Sequence, residues 1–261
     1  MAERVRSVED RIRAALVPTL SVGLFLLAVE LAQRGGALPI TIPAPSQVAV
    51  AFGRDFDTIL HHLVPTLRAA AVGFAVAVTA ALALATLATL VRSTKSAIYN
   101  FAVITYSIPL LALSPVLIVW LGNGPSARIT IAALAGFFPV IVGAIQGLDA
   151  VDRRQNELFD ILAASRLQRF WLLSVPSSLP FLFSGLKISA ASAVLGAIVA
   201  EWAGAERGLG VMMAYALFAF NVEQVWLTVV TATLCAVVAY GAVQLLERVA
   251  VPWQPAAGTE P

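Results

Sequence analysis

Six uninterrupted apolar stretches constrain this chain more than anything else in it. They run over 14–32, 69–91, 97–121, 129–148, 179–200 and 225–246, with 19, 23, 25, 20, 22 and 22 residues respectively. A helix rises about 1.5 Å per residue, so roughly 20 residues cross the ~30 Å of bilayer hydrocarbon. The backbone of such an apolar run satisfies its own polar groups in lipid by becoming helical. The six stretches hold 131 of 261 residues, and the whole chain is 59% apolar and only 12% charged. That balance excludes a disordered chain, a disulfide scaffold and an ordinary cytosolic enzyme. The expectation is an all-α, polytopic membrane protein with six transmembrane helices.

Net charge is only +2, which gives a nucleic-acid partner no electrostatic support. The placement of the basic residues says more. With the N-terminus inside, the inner side receives 11: Arg4, Arg6, Arg11, Arg13, Arg92, Lys95, Arg153, Arg154, Arg166, Arg169 and Arg248. The outer side receives 5: Arg34, Arg54, Arg68, Arg128 and Arg207. Basic loops resist translocation, so both termini are expected in the cytoplasm. Residues 1–13 carry Glu3, Glu9 and Asp10 and are followed by no small-x-small cleavage site, unlike a signal peptide. Val5, Val8, Ile12 and Leu16 recur at helical spacing, which predicts an amphipathic helix on the inner surface over 1–13.

Three connections exceed simple turns: 33–68 outside, 149–178 inside and 201–224 outside. The first opens on Arg34, Gly35 and Gly36 and holds Pro39, Pro43 and Pro45, after which 46–62 reads as an amphipathic helix. Glycines 204, 208 and 210 break the start of the third. The links 92–96 and 122–128 are short and force antiparallel neighbours. The third apolar stretch contains Tyr106, Ser107, Ile108 and Pro109, then Ser114 and Pro115. Each proline removes a helical hydrogen bond, giving a kink that serves packing or a functional hinge.

The inner loop is patterned. Leu158, Ile161, Leu162, Phe170 and Leu173 form helix-spaced stripes; Glu157 and Asp160 come early, Arg166 and Arg169 late, and Pro176 and Pro180 close the segment. This predicts a pair of short helices outside the membrane with a small apolar face. Periodicity leaves two resting places for that face, a groove on a soluble partner or the lipid surface.

Several of these residues carry a resemblance. Glu157, Leu158, Phe159, Asp160, Ile161, Leu162, Ala163, Ala164, Ser165 and Arg166, followed by Val175, Pro176, Pro180, Gly185 and Lys187, resemble the EAA loop of type I ABC importer permeases. Thr66, Leu67, Arg68, Gly73 and Phe74 resemble the opening of that family's second span. Ser107, Ile108, Pro109, Ser114, Pro115 and the run from Trp120 to Gly124 are similar to its third span and exit turn, and Glu201 with Gly208, Leu209 and Gly210 to the end of its fifth. Leu38, Pro39, Pro43, Pro45, Pro252 and Trp253 resemble the nitrate/sulfonate/taurine branch. Two positions depart: the loop's usual glycine falls on Ala163, and the alanine after its glutamate on Phe159. If the glycine serves a left-handed turn, alanine costs about 1–2 kcal/mol.

The resemblance implies one permease domain over 1–261 with the MetI-like architecture: spans 1–4 in 14–148, a cytoplasmic coupling-helix loop in 149–178, spans 5–6 in 179–246 and a cytoplasmic tail in 247–261. It implies a bacterial inner membrane, a cytoplasmic ABC ATPase dimer docked on Glu157–Arg166 and Arg169, a second copy of the permease, and a periplasmic or lipid-anchored substrate-binding protein. The cargo it implies is a small anion such as a sulfonate, taurine or nitrate, with thiamine pyrimidine precursors, riboflavin or aromatic acids carried by related branches. Tyr106, Ser107, Pro109, Ser114 and Glu201 are the gate or pathway candidates.

No G-x-x-x-x-G-K-[ST] loop occurs, so ATP is expected on a partner and no cofactor in this chain. No H-E-x-x-H occurs either, and His61 and His62 read as solvated loop residues; no catalytic or metal residue is assigned. The single cysteine, Cys235, reads as a small buried side chain. Lys187 and Glu201 lie 14 residues apart, about 21 Å along a helix, too far to pair. Lys187 is expected to reach toward inner water, or else to meet an anionic substrate, and Glu30 to reach the outer interface. Trp120, Trp202 and Trp226 fall near span ends, where indoles belong. An ATP-independent secondary transporter is the rival class, but it tends to show repeated halves and paired midplane charges, which the sequence lacks.

Overall fold

The computed structural model describes residues 2–253, the side chains of residues 2–15, Pro18 and Arg92 excepted. The described chain is helical with no strand. Helices run α1 (Ala2–Arg34), α2 (Pro45–Arg54), α3 (Phe56–Leu90), α4 (Lys95–Ser107), α5 (Leu110–Leu121), α6 (Pro125–Asp149), α7 (Arg153–Ile161), α8 (Arg166–Arg169), α9 (Val175–Trp202), α10 (Leu209–Phe218) and α11 (Val222–Ala250).

Four predicted stretches fall in helices long and apolar enough to cross a membrane: α3, α6, α9 and α11. The third is a pair, α4 and α5, bent by 95°. Pro109 caps the start of α5 with extended backbone, and Ile108 before it is extended too, as the residue preceding a proline tends to be. The expected kink is therefore a full break. The first stretch lies in α1, which is one helix from Ala2 to Arg34. Val17, Leu20, Leu24, Phe25 and Leu27 on it are all exposed, the arrangement of a helix facing lipid. The amphipathic face expected over 1–13 and the tail beyond 253 lie outside the described residues.

The core is built from small residues. Ala77, Ala81, Ala85 and Ala88 recur every three to four residues on α3 and are buried against Phe137, Val140, Ile141 and Ala144 of α6. Between lipid-soluble helices, close backbone approach supplies the packing that hydrophobicity does not. The tightest contact joins α6 to α9. A methyl at Gly143 would sit 2.7 Å from the carbonyl oxygen of Phe181, and one at Gly147 2.7 Å from that of Ser178. Only glycine allows the two backbones to meet there, and α6 and α9 form the rigid centre of the bundle.

The connections 33–68 and 201–224, expected outside, differ from expectation in two places. The amphipathic helix predicted over 46–62 ends at Arg54, and α3 begins at Phe56, so His61 and His62 sit on the first turns of α3. Glu30 does more than reach the interface. Its carboxylate accepts from the backbone N–H and the hydroxyl of Ser46, at 3.0 and 2.7 Å, and from Arg34 at 2.7 Å. It thereby ties the end of α1 to the start of α2. Within 201–224 the structure adds α10, which has no amphipathic signature in the sequence.

Candidate functional site

The loop between α6 and α9 is compact and capped at each step. Asp152 Oδ1 accepts from the N–H of Arg154 at 3.3 Å and opens α7. Ser165 opens α8 with a reciprocal cap: its hydroxyl accepts from the N–H of Gln168 at 3.3 Å, and the Gln168 side chain accepts from the N–H of Ser165 at 2.9 Å. Arg153 pairs with Glu157 at 3.0 Å along α7, and Arg169 pairs with Asp160 across the two helices.

Between them, Ala163 carries φ +50°. The N–H of Ala164 reaches back to the carbonyl of Phe159 and that of Ala163 to Asp160, both at 3.0 Å. This pair of bonds closes α7 through a left-handed residue, a position that favours glycine. A left-handed turn therefore stands where the resemblance places a glycine, with alanine in it.

No residue of α7 or α8 is buried. Leu158, Ile161, Leu162 and Leu167 are exposed, Ile161 at 82%. The loop holds its shape by caps and ion pairs and leaves these apolar side chains exposed.

At the other end of the bundle, Glu201 is 1% exposed. One carboxylate oxygen accepts from the Thr66 hydroxyl at 2.7 Å and the other from the N–H of Gly210 at 2.8 Å. The Thr66 oxygen accepts from the N–H of Leu209 at 2.9 Å. Nδ1 of His62 lies 3.2 Å from the nitrogen and 3.0 Å from the oxygen of Gly208, so either tautomer finds a partner. The amides of Leu209 and Gly210, otherwise orphaned, are met by side chains from α3 and α9, and that of Gly208 by His62 when Nδ1 carries no proton. Gly208 has φ +144°, and a methyl there would collide with the Glu201 carboxylate. His62 is consequently no solvated loop residue; two histidines side by side on a helix point apart, and one of them turns inward.

Lys187 does not reach for water. Its Nζ donates to Glu247 of α11 at 2.8 Å and stands 6.0 Å from the Tyr240 ring centre. Both charged side chains are about one-sixth exposed, 15% and 16%. The partner lies 60 residues away in sequence, which span-by-span reading does not connect.

The broken third span places the remaining candidates. Tyr106, in the last turn of α4, stacks on Phe138 of α6 with ring centres 4.4 Å apart and planes 20° apart. Ser107 donates to the carbonyl of Val103 and Ser114, fully buried, to that of Leu111, both at 2.8 Å. Tyr106 thus faces a cavity shared with α6 and α9, whereas Ser107 and Ser114 are spent on their own helices and Pro109 forms the break. Glu201 lies apart from these four, in the network at the start of α10. Among the described residues no cluster of three or more metal-ligating side chains occurs.

Residues 77–250 match the family described as binding-protein-dependent transport system inner membrane component. This chain belongs to that family. It is a multi-pass inner-membrane permease of the ABC importer class. The formylaminopyrimidine transport permease protein ThiX of Halalkalibacterium halodurans is 30% identical to it over 244 residues, covering 92% of this chain and 96% of that one. The riboflavin transport system permease protein RibX of Chloroflexus aurantiacus is 29% identical over 257 residues, 97% of this chain and 96% of its own. A putative aliphatic sulfonates transport permease, SsuC of Bacillus subtilis, is 26% identical over 257 residues, 97% and 93%. Among solved structures, an amino acid ABC transporter crystallised with histidines superposes at a TM-score of 0.64 with 14% identity, over 76% of this chain and 97% of that one. That likeness shows the fold of the permease.

Sequence reading missed His62, Glu247 and Phe138 as partners of its candidates. Their signals are long-range pairings, and the one visible hint was a charge, Glu247, directly after the apolar stretch 225–246.

Proposed function

We propose that this permease forms the membrane path of an ATP-driven importer and takes its power stroke through the loop 157–169. The observation that carries this is the pairing of rigidity and exposure in that loop: capped, ion-paired helices presenting Leu158, Ile161, Leu162 and Leu167 outward. A face resting on lipid needs no fixed shape, whereas a peg that transmits force does. The ATP would be bound by a cytoplasmic ATPase dimer, and the path would lie between two copies of this chain related by a two-fold axis. An external binding protein would deliver the solute. The 11-to-5 inside bias of basic residues supports cytoplasmic termini.

For the cargo, an uncharged heteroaromatic solute is the reading the site favours. Lys187, the one cation read within an apolar span, is already neutralised by Glu247, which leaves it unavailable to an anion. The likenesses to the ThiX and RibX permeases point the same way. An alkanesulfonate is the second reading, favoured by the likeness to SsuC and by the proline pattern of residues 38–46.

Copurification tests the coupling role. The permease with its cognate ATPase should hold together through affinity purification, and Leu158→Asp with Ile161→Asp should release the ATPase while the membrane helices keep their thermal stability. Retention of the ATPase by that double variant would refute the docking role.

A further inference from the structure

The cavity beside Tyr106 has the chemistry of a ligand site. It is about 350 Å³ in volume, in the lower range of small-molecule pockets. Three aromatic rings wall it: Tyr106 from α4, Phe138 from α6 and Phe181 from α9. Gly143 and Gly185 form its floor where the two central helices touch. No charged side chain lines it among the described residues.

Its polar groups are few and available. Ser184 is engaged, donating to the carbonyl of Pro180 at 3.0 Å. The Tyr106 hydroxyl, the Gln146 amide and the Ser192 hydroxyl line the cavity with no hydrogen-bond partner among the described residues. Aromatic walls favour a flat π-system, and an amide with both donor and acceptor suits the edge of a nitrogen heterocycle. A sulfonate would demand a fixed cationic partner, and the lining holds none; its side-chain N–H donors are those of the single Gln146 amide.

The walls also differ in rigidity. Phe138 and Phe181 belong to α6 and α9, whose backbones are in direct contact through glycine. Tyr106 stands two residues before the Ile108–Pro109 break, on the arm of a helix pair bent by 95°. A change in that bend moves one wall and leaves two in place.

We propose that Tyr106, Phe138 and Phe181, with Gln146 and Ser192 at the edge, form a subsite of the translocation path for a planar, uncharged nitrogen heterocycle. This rests on the importer reading and adds a site to it. Tyr106 and Phe138, stacked on each other beside the cavity, part to admit the ring or offer it an exposed face.

The test is equilibrium binding to the permease assembled with its ATPase subunits in lipid nanodiscs, without any external binding protein. The probes are a radiolabelled aminopyrimidine and an unlabelled alkanesulfonate as competitor. Saturable aminopyrimidine binding is expected, undisturbed by excess alkanesulfonate. Tyr106→Ala should weaken it by about three- to tenfold, the range of one aromatic stacking contact. Tyr106→Phe should keep most of the affinity, because the ring remains. Gln146→Leu changes an exposed position on α6 and should weaken binding with no loss of assembly; it carries the test if Tyr106→Ala fails to assemble. Absence of saturable binding to the assembled complex, unchanged affinity in Gln146→Leu, or displacement by the alkanesulfonate would each overturn the site. Nucleotide-dependent uptake of an alkanesulfonate at an unaltered rate in the cavity variants would overturn it too, while leaving the importer reading intact. Loss of nucleotide dependence for every solute would instead strike that underlying reading.

Discussion

Thr66 of α3 donates its hydroxyl hydrogen to Glu201 of α9 at 2.7 Å while its oxygen accepts from the first amide of α10, so one side chain joins three helices. The carboxylate it meets is buried and completes the same cap through Gly210. Removing either partner strands buried donors, at about 1–3 kcal/mol for each group left unsatisfied. Thr66→Val and Glu201→Ala should each lower the thermal midpoint of the detergent-solubilised permease. The double variant should lose less than the sum, since the two act in one network. Strict additivity in that cycle would show that the network is not shared.

Gly208 and Gly53 form a matched pair of glycines. Gly208 has φ +144° and its would-be methyl collides with the Glu201 carboxylate, whereas Gly53, within helix α2, has nothing within 4 Å of that position. Gly53→Ala should stabilise by roughly 0.5–1 kcal/mol, the helix-propensity gain. Gly208→Ala should destabilise and expose the chain near 204–210 to proteolysis. Equal melting temperatures for the two variants would contradict the cap of α10 as described.

Lys187 and Glu247 offer a sharper contrast. Replacing one member leaves a charge of low exposure unpaired, which typically costs about 3–5 kcal/mol at a fully buried site and less here, where each is about one-sixth exposed. Lys187→Met or Glu247→Gln alone should therefore lower the melting temperature, and the two together should recover most of it. No recovery in the double variant would mean that the groups act separately.

Ala163 holds a left-handed backbone at φ +50°. Ala163→Gly relieves that strain, which is worth about 1–2 kcal/mol per residue. Amide hydrogen exchange over 153–169 should slow by a factor of several in the variant. Faster exchange would show that glycine's extra freedom in the unfolded loop outweighs the relief.

What the sequence makes legible follows the range of the interactions. Span-length apolar runs locate α3, α6, α9 and α11 because each satisfies its own backbone in lipid. Pro109 announces a disturbance in the third span, but a 95° turn depends on what α4 and α5 pack against, which no local pattern encodes. Helix α10 was invisible because it is apolar on every side and only ten residues long, and its N-terminus is capped by Glu201, Thr66 and His62 from elsewhere in the chain. The pair of short helices around 157–169 was legible from local apolar spacing, whereas the caps at Asp152 and Ser165 were not read although they too are local chemistry. Lys187 was misplaced for the converse reason: its partner is on another helix, and an isolated lysine near a span end ordinarily reaches for water.

The most direct measurement is solute uptake into proteoliposomes holding the permease, its ATPase and the external binding protein, with ATP or a non-hydrolysable analogue supplied on the ATPase side. Accumulation against a gradient should require hydrolysable ATP and should vanish in the Leu158→Asp, Ile161→Asp variant. Accumulation that persists with the analogue, or in that loop variant, would contradict a permease driven through its cytoplasmic loop.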